Sequence, residues 1–122
     1  SMPSTQRGGS EGRADMVLGD RHGTSCHPVL TDVVSALLRE MGYRVARNKP
    51  YAGGFNTETY GAPGRGFHAL QIEISRGLYM NEGTLAKTGG FTTLTADFAR
   101  LVDRLVDAFP MIFADQMRSA AE

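Results

Sequence analysis

The pattern that most restricts this chain is an apolar run, an amphipathic helix and a second apolar run within 34 consecutive residues of a 122-residue sequence. Asp15-Met16-Val17-Leu18-Gly19-Asp20 is a short apolar stretch bounded by charge and glycine, the composition of a buried strand in a parallel sheet. Pro28 opens a helix in which Val29, Leu30, Val33, Val34, Leu37, Leu38 and Met41 form one continuous apolar stripe. Pro28 suits the first turn, with Cys26 or His27 near the cap, and Gly42 suits the position just past the end. Tyr43-Arg44-Val45-Ala46-Arg47-Asn48 then reads as a second strand. Strand, helix, strand at this spacing is a βαβ unit with a right-handed crossover, so the chain is α/β.

His68-Ala69-Leu70-Gln71-Ile72-Glu73-Ile74-Ser75-Arg76 adds a third strand. Leu70, Ile72 and Ile74 alternate with Gln71, Glu73 and Ser75, so one face is apolar and the other carries an amide, a carboxylate and a hydroxyl. Glu73 could act as a general base at the rim of a sheet, or the polar face could simply meet water. The strand ends after Gly19, Asn48 and Ile74 each run into polar or glycine-rich sequence. Parallel strands would gather these three loops on one edge, the usual ligand-binding edge of an α/β sheet. The stretch Asp20 to Ser25 is either such a ligand loop or an ordinary polar turn.

Glycine is the unusual component, with 15 residues clustered at 8–23, 53–66 and 77–90. Residues 48–61 are too long and polar for a tight turn, and their tyrosines, threonines, asparagines and Gly-Gly pair favour an ordered recognition loop. Ala62 to Gly66 reads as a turn and Leu78 to Phe91 as irregular. Thr92 or Thr93 can cap a last helix whose apolar face is Leu94, Phe98, Leu101, Val102, Leu105, Val106 and Phe109. Pro110 is expected to interrupt it, with Met111, Ile112, Phe113 and Met117 in a second short helix.

The length suits one domain or a piece of one. Lys+Arg and Asp+Glu both number 13, so no net positive charge favours nucleic acid or an anionic membrane surface. No apolar run approaches the length needed to span a bilayer. The opening residues carry no leader pattern. The lone cysteine, Cys26, cannot form an internal disulfide and fits a reducing cytoplasm.

The ordered set Ala14 to Cys26, Asn48 to Gly54, Thr57 to Gly61 and His68 to Met80 resembles the N-formylglutamate amidohydrolase family. The resemblance covers roughly Ser1 to Pro110. It implies a three-layer α/β/α sandwich similar to the zinc-dependent carboxypeptidases, with a mostly parallel or mixed sheet. It also implies hydrolysis of N-formyl-L-glutamate to formate and L-glutamate, a step of histidine degradation, with a divalent metal, usually zinc, activating the water. Glu73 then occupies the place of the general base that relays the water's proton to the leaving amine. Arg21 and Arg76 are candidates for holding the two substrate carboxylates, since a guanidinium grips a carboxylate through two hydrogen bonds. His22, Asn48, Tyr51, Gly53, Gly54 and Thr57 would shape the pocket. Arg76 could instead form a surface ion pair, and Tyr51 could be a packed loop aromatic.

The family's metal ligands come mostly from its first half, ending in a histidine directly before Ser-Met-Pro, whereas this sequence opens at Ser1-Met2-Pro3-Ser4. The chain is therefore expected to be the C-terminal part of one amidohydrolase domain, with a loop or frayed end over 1–13, a core over 14–110 and a terminal helix over 111–122. A missing N-terminal segment would be its natural partner. No metal site is expected within it, because His22, His27 and His68 lack ligand spacing. The chain alone is then expected to be inactive, with exposed sheet edges. Two other readings are a metallohydrolase acting on another N-acyl amino acid or a peptide, and a non-catalytic α/β binding module.

Overall fold

The computed structural model describes residues 1–4, 13–114 and 118. The first strand, β1, spans Met16–Gly19 and is wholly buried. Helix α1 follows over Pro28–Glu40, then β2 over Val45–Arg47, a short helix α2 over Phe55–Tyr60, β3 over Gln71–Ile74, and the long helix α3 over Gly90–Ile112. Single 3-10 turns lie at Pro63–Arg65 and Arg76–Leu78.

The sheet has the order β2-β1-β3. β1 and β2 are parallel, pairing Met16 with Val45 and Leu18 with Arg47, so the βαβ unit forms as its periodicity dictates. β3 is antiparallel to β1, pairing Met16 with Ile74 and Gly19 with Gln71. This corrects the expectation of three strand ends on one edge. The ends of β1 and β2 share an edge with the start of β3, whereas Ser75 and Arg76 leave at the opposite edge. A period-2 pattern is the same in both strand directions, so it carries no sign of orientation. Met2 bridges to Ser75 in parallel beyond β3.

Helices α1 and α3 cover one face of the sheet. Met16, Leu18 and Val45 pack there with Val34, Leu37 and Leu38 of α1 and Leu94 and Leu101 of α3, while Ile72 and Ile74 adjoin this cluster. Val17, Ala46 and Glu73 are cross-strand partners and so share the other face. A cavity of about 510 Å³ lies along that second face, between Met2, Ser4 and Ser75 on one side and Arg44, Lys49 and Pro50 on the other.

His27 is the N-cap of α1, its Nδ1 accepting the Val29 N–H at 3.2 Å, and Pro28 fills the first turn. Gly42 takes a φ of +97°, the left-handed conformation that stops the helix. The expected stripe is core except at Val29, which is exposed, while Thr31 and Ser35 are buried. Their small side chains let α1 approach the sheet.

Helix α3 departs from expectation at both ends. Its cap is Gly89 rather than Thr92 or Thr93, and it runs through Pro110 to Ile112. Pro110 lies two residues before the end of the helix, so its missing N–H deprives only one carbonyl, that of Val106, of its intrahelical donor, and the Phe113 N–H still bonds to the Phe109 carbonyl at 3.2 Å. Phe113 is buried and stacks on His68 with ring centroids 4.4 Å apart, which docks the end of α3 on the segment leading into β3 and beside the His27 cap of α1. The outer side of α3 leaves Val102, Val106 and Phe109 exposed, contrary to their place in the expected apolar face. The expected continuation through Met117, most of the opening loop and much of the terminal helix lie outside the described residues.

Candidate functional site

The edge formed by the ends of β1 and β2 is closed by hydrogen bonds between side chains 28 residues apart. Asp20 follows β1 and Asn48 follows β2. The Asn48 Nδ2 donates to Asp20 Oδ1 at 2.8 Å, and Asn48 Oδ1 accepts the Asp20 N–H at 3.1 Å and the His22 N–H at 3.4 Å. Asp20 Oδ1 also accepts the Gly23 N–H at 2.9 Å, and Oδ2 accepts the Thr31 hydroxyl at 2.9 Å. Thr31 in turn lies 3.2 Å from the Cys26 sulfur. Burial works to raise the Asp20 carboxyl, but the bonds from Asn48, Gly23 and Thr31 outweigh it and hold the group below the usual carboxylate range. Burial raises the Cys26 thiol, so this cysteine is a poor nucleophile.

Asp20 and Thr31 were not among the sequence candidates. Their signal was modest: Asp and Asn each stand directly after one of two parallel strands, the position from which short polar side chains reach across a switch point.

The loop over 48–61 is ordered by backbone approach. The Arg21 N–H donates to the Ala52 carbonyl at 2.7 Å, and Asn48 N–H to the Leu18 carbonyl at 2.8 Å. A methyl group on Gly19 would stand 2.6 Å from the backbone of Ala52 and Gly53, so only glycine fits there. Gly53 has a φ of +116° and Gly54 caps α2. Thr57 is buried, its hydroxyl donating to the Gly54 carbonyl at 2.8 Å. Tyr51 is half-buried in the same loop. Arg21 lies across this loop, with its guanidinium 3.5 Å from the Gly53 carbonyl and 3.9 Å from Glu58. His22 is exposed at the rim. Seven of the sequence candidates, Arg21, His22, Asn48, Tyr51, Gly53, Gly54 and Thr57, thus belong to one loop cluster.

Of the other two candidates, only Arg76 stands apart from it. Glu73 projects from the middle of β3 on the face opposite α1 and α3, two residues from Gln71, whose Oε1 on that same face approaches Gly54 of the loop, and its Oε2 lies 2.9 Å from the Ser1 amino group. Its side chain is 22% exposed, so it remains open to solvent. Arg76 begins the 3-10 turn beyond β3, with its N–H bonded to the Met2 carbonyl at 2.9 Å. Glu82, which also holds the Ser4 hydroxyl and N–H, is held below the usual range by those bonds, with a smaller contribution from Arg76. Since β1 places Gly19 and Met16 at opposite ends, Arg21 and Arg76 are separated by the length of a strand, about 10 Å, plus their loops.

Among the described residues no three His, Cys, Asp or Glu side chains are grouped to hold a metal ion. The histidines have other partners. His68 Nδ1 accepts the His27 N–H at 3.0 Å while its ring stacks on Phe113. Burial, then the neighbouring His27, depresses the His68 pKa. Among the described residues no helix is long and apolar enough to cross a membrane.

Comparison with known proteins agrees with this arrangement of elements. A solved structure of N-formylglutamate amidohydrolase from Ralstonia eutropha JMP134 is 43% identical and superposes with a TM-score of 0.78, over 88% of this chain and 40% of that one. A curated N-formylglutamate deformylase of Pseudomonas putida is 38% identical over 69 residues, and its Pseudomonas aeruginosa counterpart 36% over the same length. Both alignments cover 56% of this chain and 26% of the relative, so the chain matches about a quarter of each curated protein. The family model of N-formylglutamate amidohydrolase matches residues 1–80, a span that contains both strand-end loops, Glu73 and Arg76. That match, covering about two-thirds of the sequence, makes this chain a member of the N-formylglutamate amidohydrolase family.

Proposed function

We propose that the protein carrying this chain hydrolyses N-formyl-L-glutamate to formate and L-glutamate. The observation that supports this most is the family match over residues 1–80, which includes every candidate residue of the site. Relatives named for this reaction share more than a third of aligned positions with the chain. The full domain is read as a three-layer α/β/α sandwich similar to the zinc-dependent carboxypeptidases. This chain supplies one helical layer and part of the sheet.

In this reading Glu73 takes the proton of the attacking water and passes it to the departing amine. A solvent-open carboxylate on a sheet face is placed for such a transfer. Arg21 and the loop around Gly53, Gly54 and Thr57 hold an anionic part of the substrate. Their location outside the carboxyl ends of parallel strands is the usual one for a ligand. A divalent metal, when bound, would polarise the formyl group and lower the pKa of the water. The described residues do not fit such an ion. Its ligands are assigned to other parts of the protein. By the same reasoning the chain by itself is expected to be inactive; its lone free cysteine, Cys26, suits a protein that works in a reducing cytoplasm.

The separation of Arg21 and Arg76 favours one second reading, in which this chain holds a single carboxylate of some other N-acyl amino acid. Formate and acetate release separate the two. The complete native protein is expected to release formate from N-formyl-L-glutamate faster than from N-formylglycine, and to act poorly on N-acetyl-L-glutamate. Equal rates on all three would refute the dicarboxylate preference.

A further inference from the structure

Among the described residues, three of the four non-glycine residues with positive φ lie at one place: Arg21 at 50°, His22 at 57° and Asn48 at 60°. L-residues seldom adopt this conformation, and an arginine–histidine pair in it needs a surrounding structure that enforces it. The enforcing groups are Asp20 and Asn48. Asp20 is 6% exposed, so it does not meet substrate, yet its carboxylate gathers the Gly23 N–H, the Asn48 amide and the Thr31 hydroxyl. Asn48 returns two acceptor bonds, to the N–H groups of Asp20 and His22 that bracket Arg21. Only one orientation of the Asn48 amide satisfies this pattern, because the ionised Asp20 carboxylate can only accept and the two N–H groups can only donate.

We infer that Asp20 is a positioning residue that, through Asn48, fixes the left-handed Arg21–His22 turn and so aims these two side chains at an anionic substrate. The anionic substrate rests on the proposed function; the clasp itself rests on geometry alone. Without the clasp the turn relaxes toward ordinary conformations, and the Arg21 guanidinium leaves the Gly53 loop. Substrate affinity then falls while the proton transfer by Glu73, on another part of the sheet, is spared.

The test uses the complete native protein and three variants. Asp20→Ala is expected to raise the KM for N-formyl-L-glutamate about tenfold or more while kcat changes less than about threefold. Asp20→Asn is expected to restore KM to within about threefold, because the asparagine oxygen keeps the Gly23 and Asn48 bonds and its NH2 donates to Thr31. Asn48→Gly removes the clasp but tolerates the left-handed backbone, and it is the variant to read if Asp20→Ala does not fold. It is expected to raise KM in the same way and to speed amide exchange at Asp20 and His22 but not in α1. An unchanged KM in both Asp20→Ala and Asn48→Gly overturns the inference. So does a collapse of kcat in Asp20→Asn, which would make the carboxylate a chemical participant. If the unaltered protein does not hydrolyse N-formyl-L-glutamate, the functional reading fails separately. The amide exchange of Asn48→Gly then decides the clasp, and unchanged exchange at Asp20 and His22 refutes it.

Discussion

The two edges of this small sheet are closed by different chemistry. At the edge where β1 and β2 end, Asp20, Asn48 and Thr31 satisfy one another in a short-range network, and backbone approaches at Gly19 and Gly53 hold the loops together. At the opposite edge the groups are charged and more open. Glu82 holds Ser4, and Arg44 reaches Asp15 at 3.0 Å. The first edge is built to hold a shape. The second offers charges that water screens and that other parts of a protein can engage. In the proposed function, Arg21 belongs to the first edge and Glu73 to the sheet face between the two.

Four measurements test this division, beginning with the largest effect. Glu73→Gln keeps the shape of the helix-free face and removes the base. In the complete protein kcat for formate release is expected to fall by about 10² to 10⁴, with KM changed little. A large change in KM with kcat preserved would move Glu73 from the chemistry to binding.

Gly19→Ala perturbs only the rigid edge. The added methyl meets the Ala52 and Gly53 backbone at 2.6 Å, which cannot yield as a side chain could. The expected cost is about 1–3 kcal/mol of unfolding free energy, measured by urea denaturation. A neutral result would show that the loop is looser than its backbone bonds imply.

Arg21→Lys and Arg76→Lys compare the edges directly. Lysine keeps the charge but loses the two-pronged grip. The expected outcome is a rise in KM of about tenfold for Arg21→Lys and less than about twofold for Arg76→Lys. Equal rises would mean that one substrate spans both edges, and the division between them would fail.

The smallest effect is a pH dependence at the Phe113 contact. The His68 pKa is lowered in the fold, so the unfolded chain binds the proton more readily. The stability it contributes is complete above the unfolded value, near pH 6.5, and declines as pH falls through the folded one. Protonation at Nδ1 would also oppose the His27 N–H it accepts. Thermal midpoints measured from pH 7.5 down to 5 should fall more steeply for the unaltered protein than for His68→Gln. Parallel curves would show that His68 is not the group responsible.

Much of the fold was legible in the residues. The stripe from Leu30 to Met41 and the apolar run at Met16–Leu18 are short-range patterns, and each records directly which side chains must leave water. Loop ordering over 48–61 was legible from its aromatics and glycines, though the helix α2 within it was not. Pro110 was misleading because it stands two residues from the helix end, where it deprives a single carbonyl, that of Val106, of its donor and leaves the rest of α3 intact. In the candidate site, the grouping of Arg21 with Asn48, Gly53 and Thr57 followed from the parallel βαβ unit. Arg76 lies beyond the far end of β3 from that group, and the Asp20–Asn48 clasp was not foreseen.

What the sequence determined by itself is therefore which segments are regular and which of their faces are apolar, since both follow from the spacing of side chains along one element. Only the tertiary structure decided the direction of β3, and with it the division of charged groups between two edges. Alternating side chains look identical read either way along a strand, and antiparallel and parallel neighbours both satisfy the backbone of β1. Only the packed chain selects between them, and that selection sets Glu73 over the sheet face and Arg76 at the edge away from the Asp20–Asn48 pair.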